Sequence, residues 1–532
     1  MALDPIDLQV VAGALRAACE EMGAALVRSA HSANIKERRD CSSGLFDAAG
    51  EMVMQAEHIP VHLGAMPAAV AAVLDEDHSS GRAWILNDPY RGGTHLPDIT
   101  VVTPVLDDDR ALLGFAANRA HHADVGGRVP GSMPADSTTL AEEGVVIAPR
   151  VLDEQAIDEL SESMRQPAQR RADLRAQLAA NRIGARRLVE LAGRLGSGAL
   201  REATAAVLDY AERRTRACIQ ALPDGPREAR DVLEGIDGDI ELRLVATVRG
   251  DRLILDFAGS AQQHRGNLNC PLAVTRSAAY FAVRVLTDPD VPPSAGAYRP
   301  IEVRAPEGSL LNARAADGPD GGPAPAVAGG NVETSSRVAD LVLAAFGRAL
   351  GQGTMNNITL GTDSTPGPAR GGAQRTGAPT AGEAASGGPG FTYYETLGGG
   401  QGACPDAAGP SAVHVAMSNT LNTPVEALEL EFPLRVVRHA IRRGSGGAGR
   451  HHGGDGIVRE LEAQTAMSYA LITERRRHAP PGADGGEPGA CGRNLLNGEE
   501  LPAKATGELR PGDRLAIETP GGGGHGAPTA QP

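Results

Sequence analysis

The chain carries 67 glycines and 37 prolines in 532 residues, and this punctuation limits its possible architectures more than any other feature. Glycine frees the backbone and proline fixes it, so both interrupt regular elements and favour turns. A large share of the chain must therefore be turns and shaped loops. The clearest long helical texture, rich in Arg, Ala, Leu and Glu, runs from about 154 to 221. Aromatic residues make up only 3%, so the core must be built largely from Ala, Val, Leu and Ile. The length exceeds what one hydrophobic core needs, and two or three structural units are expected.

Periodicity supplies a coarse map. Residues 5–30 read as an amphipathic helix after an Asp-Pro start, with Ile6, Val10, Leu15, Met22 and Leu26 at loosely helical spacing. A polar stretch from His31 to Asp47 follows, ending in a hairpin-like GLFDAAGEM. Apolar runs at 83–88 and 99–106 have strand length and are joined by PYRGGTHLPD, with another strand at 111–122. After Pro223 the segments IELRLVATV and RLILDF, separated by a Gly-Asp turn, predict a hairpin. Helices are expected at 272–288 and 335–350. Residues 362–390 hold almost no large apolar side chain and read as a mobile surface insert. The last hundred residues read as short strands and glycine-rich turns. The fold class is a multi-domain mixed α/β (α+β) chain: 1–225 with the functional site and helical segment, and a β-rich 226–532.

Charge and targeting signals exclude several function classes. The formal net charge is -15, a surface that repels phosphate backbones and anionic lipids, so neither nucleic acid nor membrane is an expected partner. The start MALDPIDLQVVAG has no signal-peptide pattern, and no apolar run reaches the roughly 20 residues of a membrane span. Six dispersed cysteines without a CxxC pair argue against a disulfide framework or structural zinc. A cytoplasmic protein is the expectation.

The segment Asn87–Gly127 concentrates the chemistry. His95 and Asp98 flank Leu96-Pro97; His121, His122 and Asp124 close the next strand. On a straight strand His95 and Asp98 would diverge, but Gly92, Gly93 and Pro97 imply a bent loop that turns both to one spot. Antiparallel pairing of the flanking runs would return His121 beside them. Two histidines and a carboxylate suit an open divalent-metal site, while the adjacent histidine would face elsewhere, as an outer or acid/base group. Incidental clustering among 14 histidines is the competing reading. A second polar cluster, Glu37, Arg38, Asp40, His58 and His62, reads either as substrate contacts or as a buried ionic network. His451, His452 and Asp455 lie among glycines and read as a turn cluster. Cys41 lacks a partnering histidine for nucleophilic work. There is no GxxxxGK[ST] phosphate loop and no GxSxG elbow, and the terminal GGGG lacks a strand–turn–helix context.

These stretches resemble the hydantoinase B/oxoprolinase family: ERRDCSSGLFD, QAEHIPVHLGAM, NDPYRGGTHLPDITVVTPV and AHHADVGG in the first half, AGGNVETSSRVAD, GTMNNITLG, YYETLGGGQGA and ETPGGGGHG in the second. The resemblance covers nearly the whole chain in order. It implies a subunit that works with a separate A-type, ATP-binding subunit in a hetero-oligomer, ATP and its magnesium being bound by that partner. The partner would phosphorylate a cyclic amide such as a hydantoin or 5-oxoproline, and this chain would complete ring opening. In the related ketone carboxylases the same subunit would instead serve carboxylation. A non-catalytic scaffold is a third reading. The resemblance implies a divalent ion (zinc, manganese or iron) on His95, Asp98 and His121, with His122 or Asp124 moving a proton. The loop Asp107-Asp108-Asp109 makes the spacing from Asp98 one residue longer than in relatives, so His122 stands as an alternative ligand to His121. Cys404 replaces an expected arginine, and Arg450-His451 stands where relatives favour an aromatic.

Overall fold

The computed structural model of the chain describes residues 4–315, 322–362 and 390–528. The expected insert at 362–390 lies outside the described residues except at its two ends. The elements are mixed, in four sheets flanked by helices. Among the described residues no helix is long and apolar enough to cross a membrane.

The first sheet positions the site. Its strands are β1 (Cys41–Asp47), β2 (Met52–Glu57), β3 (Ala83–Leu86), β4 (Asp98–Leu106), β5 (Leu112–His121) and β6 (Arg150–Leu152), in the order β2-β1-β5-β4-β3-β6. The helices Pro5–Ser29 and Pro167–Leu195 pack against one another and against this sheet. Asp4 caps the first by accepting from Ile6 N at 3.0 Å, with Pro5 in its first turn. The buried stripe of that helix is Val11, Leu15, Ala18, Cys19, Met22 and Leu26, whereas Ile6 and Val10 face outward. The two helices approach closely because residue 184 is glycine: a Cβ there would fall 2.3 Å from Met22 Sδ. Glu154–Glu162, Pro167–Leu195 and Ser197–Gln220 account for the helical texture of 154–221.

The second sheet begins with Gly225–Gly235, a strand that periodicity misses, paired with the anticipated hairpin Gly238–Arg249 and Arg252–Asp256. It is an edge strand, in which Asp231 serves an ionic network and Glu234 accepts the backbone N–H groups of Arg476, Arg477 and His478. Arg475 Nη2 stands 2.7 Å from both Asp231 Oδ2 and Asp340 Oδ2, and Arg337 Nη2 3.2 Å from Glu474 Oε2. Helix Leu272–Leu286 packs against Pro60–His62 and Ala65–Ala71 of the first half, where Gly64 N donates to Ser277 Oγ at 2.9 Å. One buried apolar cluster runs from Phe46 to Ile472. The two halves thus share a core across residue 225.

The third sheet pairs Thr392–Glu395, Asn357–Gly361, Met467–Ile472 and Lys504–Leu509; the fourth contains Leu434–Arg442, Gly456–Ala463, Arg514–Glu518, Arg493–Leu496 and Glu499–Leu501. Beside them the glycine-rich segments 398–402, 446–454, 482–489 and 521–526 are not simple turns. They run against one another backbone to backbone: Gly522 N donates to Gly454 O at 2.9 Å, Gly447 N to Gly522 O at 2.8 Å and Gly454 N to Gln401 O at 2.8 Å. A Cβ at Gly522 would fall 2.1 Å from Gln401 O, and one at Gly453 1.9 Å from Gly522 O. Only glycine allows that approach.

Candidate metal centre

Everything that brings His95, Asp98 and His121 together is local loop chemistry and strand register. The loop between β3 and β4 is folded by Asn87. Its Nδ2 donates to Leu96 O at 2.8 Å and Val145 O at 3.0 Å, and its Oδ1 accepts from Ile147 N at 2.6 Å. Gly92 and Gly93 fit where a Cβ would meet Ala68 O at 2.6 Å and Asn87 O at 2.2 Å. Asp98 N donates to His95 O at 3.1 Å, closing the turn that sets both side chains on one side. β4 then pairs antiparallel with β5, Asp98 opposite His121.

That register settles which histidine joins the group. The ladder is unbroken from Asp98↔His121 to Val105↔Gly114, then slips at Leu106↔Leu112. Leu113 is the extra residue of a β-bulge beside the hairpin loop. The bulge lies at the end of the ladder far from the site. His121 therefore faces Asp98. His122 faces the helix Pro167–Leu195 instead, with Nε2 2.9 Å from Gln177 Oε1.

The ligand atoms of His95, Asp98 and His121 all lie within 4.8 Å of one another, the only such group of three or more His, Cys, Asp or Glu among the described residues. His62 extends it. Asp98 Oδ2 stands 3.3 Å from His95 Nε2 and 3.6 Å from His62 Nε2, and accepts from Thr94 Oγ1 at 2.7 Å. Ser42 Oγ holds His62 Nδ1 at 2.9 Å, and the Asn34 amide lies 3.1 Å from His121 Nδ1. All of these groups are buried, yet His95 Nδ1 and His121 Nε2 have no hydrogen-bond partner, and His62 Nε2 and His95 Nε2 face only the Asp98 carboxylate. Each such orphan costs about 1–3 kcal/mol. Their convergence on one carboxylate makes a donor set suited to a divalent cation.

Electrostatics prepares the donors. Burial opposes ionisation of Asp98, but the flanking imidazoles of His95 and His62 hold its carboxyl well below the usual range. Burial lowers His121 and His62, keeping both rings neutral. A carboxylate with neutral imidazoles is the protonation state in which these groups ligate a metal. Asp40, whose carbonyl accepts from His121 N at 3.0 Å, is pushed up to about 7 by burial and by the Asp98 charge.

The other sequence candidates are distributed differently. Asp124 is consumed by its own loop, accepting from Gly126 N and Gly131 N at 2.7 Å and lying 3.2 Å from Arg165 Nη1. Burial pushes His122 down to about 4. His122 thus faces Gln177 and Asp124 its own loop, outside the group of His95, Asp98 and His121. Of the second cluster, Asp40 and His62 reach the site. Arg38 ties the halves together, donating to Tyr394 O at 2.8 Å, Thr396 Oγ1 at 2.7 Å and Thr420 Oγ1 at 3.0 Å. Glu37 is placed toward Glu431, and His58 packs toward Gly23. His451 exchanges backbone hydrogen bonds with His525, and Asp455 Oδ1 accepts from Gly446 N at 2.9 Å. Both therefore belong to the glycine assembly. Burial raises the Cys41 thiol, which makes it a poor nucleophile. Asn34, Ser42 and Tyr394 hold the imidazoles; Ser42 and Tyr394 lie in segments that resemble the family without being singled out, and Asn34 carried no sequence signal.

Comparisons with known proteins agree with this architecture. The family model for Hydantoinase B/oxoprolinase matches residues 4–528. The chain is 36% identical to 5-oxoprolinase 1 of Arabidopsis thaliana over 98% of its own length but only 42% of that protein's; it spans about two fifths of several such relatives. It is 30% identical to the B-type subunit of a putative D-/L-hydantoinase from a Pseudomonas species, covering 99% of this chain and 90% of that one. The crystal structure of an ATP-dependent caprolactamase from Pseudomonas jessenii superposes with a TM-score of 0.86 at 27% identity, covering 100% of this chain and 93% of that chain. With the family model spanning almost every described residue, this chain belongs to the hydantoinase B/oxoprolinase family.

Proposed function

We propose that this chain is the metal-bearing subunit of an ATP-dependent enzyme that opens a cyclic amide of the hydantoin or 5-oxoproline class after a partner ATP-binding subunit has activated it. The observation that carries the reading is the convergence of His62, His95 and His121 on the Asp98 carboxylate. A separate partner accords with two coverage figures: the chain spans 42% of a 5-oxoprolinase but 90% of the B-type subunit of a putative hydantoinase.

His95, Asp98 and His121 would hold the ion, and zinc, manganese and iron all suit the set. When bound, a divalent ion would supply Lewis acidity toward the activated ring carbon. The protein's own contributions are definite. Thr94 and His62 hold Asp98 in place, and the Asn34 amide fixes which ring nitrogen of His121 points into the cluster. Water must add at the activated carbon for the C–N bond to break and phosphate to be released, and burial of these side chains limits access of bulk water beyond that. His122 binds Gln177 and Asp124 braces its loop, so both position the strand end beside the cluster.

Elemental analysis of the purified chain, beside His95→Ala and Asp98→Ala, is the deciding experiment. One equivalent of metal in the wild type, lost in both variants, is expected. The partner subunit, ATP and a panel of hydantoins, 5-oxoproline and lactams should then give ring opening coupled to phosphate release. A wild-type chain that stays metal-free after incubation with manganese, zinc or iron would overturn the reading.

A further inference from the structure

Tyr394 belongs to the C-terminal half, yet its ring lies flat on His121, with centroids 4.5 Å apart and planes 13° apart. The ring is fixed from several directions. Its strand is paired in register with Asn357–Gly361, Tyr394 opposite Thr359. Its carbonyl accepts from Arg38, whose guanidinium stands 4.8 Å from the ring centroid. Its hydroxyl donates to Asn357 Oδ1 at 2.6 Å.

Asn357 in turn has a set orientation. Its Nδ2 donates to Glu333 Oε1 and to Ile472 O, both at 3.4 Å, which leaves Oδ1 facing the tyrosine. Glu333 lies in a wide helical turn, Gly330–Thr334, and its Oε1 also accepts from Thr354 Oγ1 at 3.0 Å and Met355 N at 3.2 Å. All three side chains are buried. His121 therefore has two restraints: the Asn34 amide in the plane of its ring, and Tyr394 on its face.

We propose that Tyr394, locked by Asn357 and Glu333, is a positioning residue for the metal centre: its ring sets the tilt at which His121 Nε2 meets His95 and Asp98. The inference rests on the metal reading above and deepens it, because it makes the C-terminal half part of a site whose three ligands all come from the N-terminal half. Outer partners of metal-ligating histidines typically contribute 10–100-fold in metal affinity, whereas a residue that only filled space would not alter the ion's coordination.

The test uses the full chain stripped of metal and titrated with Co2+ alone, reading affinity and the visible absorption of the bound ion, with thermal unfolding measured beside it. Tyr394→Leu, which removes the stack, should weaken Co2+ binding by about 10–100-fold. Tyr394→Phe keeps the stack but frees the ring from Asn357; it should weaken binding less and shift the Co2+ spectrum. In a His121→Ala background neither change should add anything. Wild-type binding with both variants within twofold of it and spectrally unchanged would overturn this inference while leaving the metal reading intact. Should Tyr394→Leu not fold, Tyr394→Phe decides by the same criterion. A wild-type chain that binds no Co2+ would overturn both.

Discussion

Placing one methyl group in the glycine assembly should cost more than most core truncations. The perturbation is Gly522→Ala. Its Cβ would lie 2.1 Å from Gln401 O and 2.3 Å from Gln401 C, both backbone atoms with no side-chain torsion to relieve the contact. An ordinary C···O contact is roughly 3.3 Å, so one segment must retreat by about 1.2 Å. That displacement breaks hydrogen bonds such as Gly522 N to Gly454 O at 2.9 Å, Gly447 N to Gly522 O at 2.8 Å and Gly454 N to Gln401 O at 2.8 Å. At about 1 kcal/mol per lost bond, and up to about 3 where a buried group is left unpaired, the expected loss is roughly 3–6 kcal/mol. Whole-domain stabilities are only about 5–15 kcal/mol. The control is Gly193→Ala in the helix Pro167–Leu195, where an added Cβ meets nothing within 4 Å; it should stabilise by up to about 1 kcal/mol. Urea unfolding, with hydrogen exchange read at the amides of 446–454 and 521–526, separates the two. A Gly522→Ala chain within about 1 kcal/mol of wild type, with those amides equally protected, would refute the reasoning.

Three further outcomes follow from the buried groups. Burial pushes Glu333 from 4.5 up to about 8, so between those values the folded chain retains a proton that the unfolded chain releases, and stability must fall as pH rises. At about 1.4 kcal/mol per unit, Glu333→Gln should match wild type near pH 5 and exceed it by a few kcal/mol near pH 9; parallel pH–stability curves for the two chains would contradict this. Arg459 and Glu395 form a fully buried pair at 3.3 Å; Glu395→Ala should lose about 3–5 kcal/mol, much of it regained with Arg459→Met, as a double-mutant cycle would show. Of six cysteines only Cys404 is exposed, while Cys19, Cys41 and Cys270 are buried. Thiol titration should therefore give one fast equivalent, with these three reacting only on denaturation; rapid labelling of Cys41 would contradict its burial.

The sequence was most readable where local chemistry decides the structure. The Asp-Pro start announced the first helix, apolar runs announced β4 and β5, and Gly92-Gly93 announced the bend that turns His95 and Asp98 together. The strand Gly225–Gly235 was hidden because it is an edge strand whose Asp231 serves buried arginines, which erases apolar alternation. The glycine segments read as turns because a layer built of backbone leaves no side-chain period to detect. Tyr394 and Asn34 approach His121 from distant parts of the chain, and no spacing rule reaches across such folding. The choice between His121 and His122 depended on one slipped pair in a ladder.

That slipped pair also governs how the hairpin can evolve. With Leu113 displaced next to the loop, the seven or so rungs between it and Asp98↔His121 act as a ruler whose zero mark is at the site. A residue gained or lost around Asp107–Asp109 can be taken up at the bulge, as slack is taken up in an expansion joint, and the ruler does not move. The same insertion at Ala116 or Ala117 would carry every later side chain to the opposite face and present Ala120 where His121 belongs, and a deletion there would present His122. Length variation is thus tolerated at the tip of this hairpin and forbidden along its rungs, so drift at the protein's surface is decoupled from the geometry of its centre.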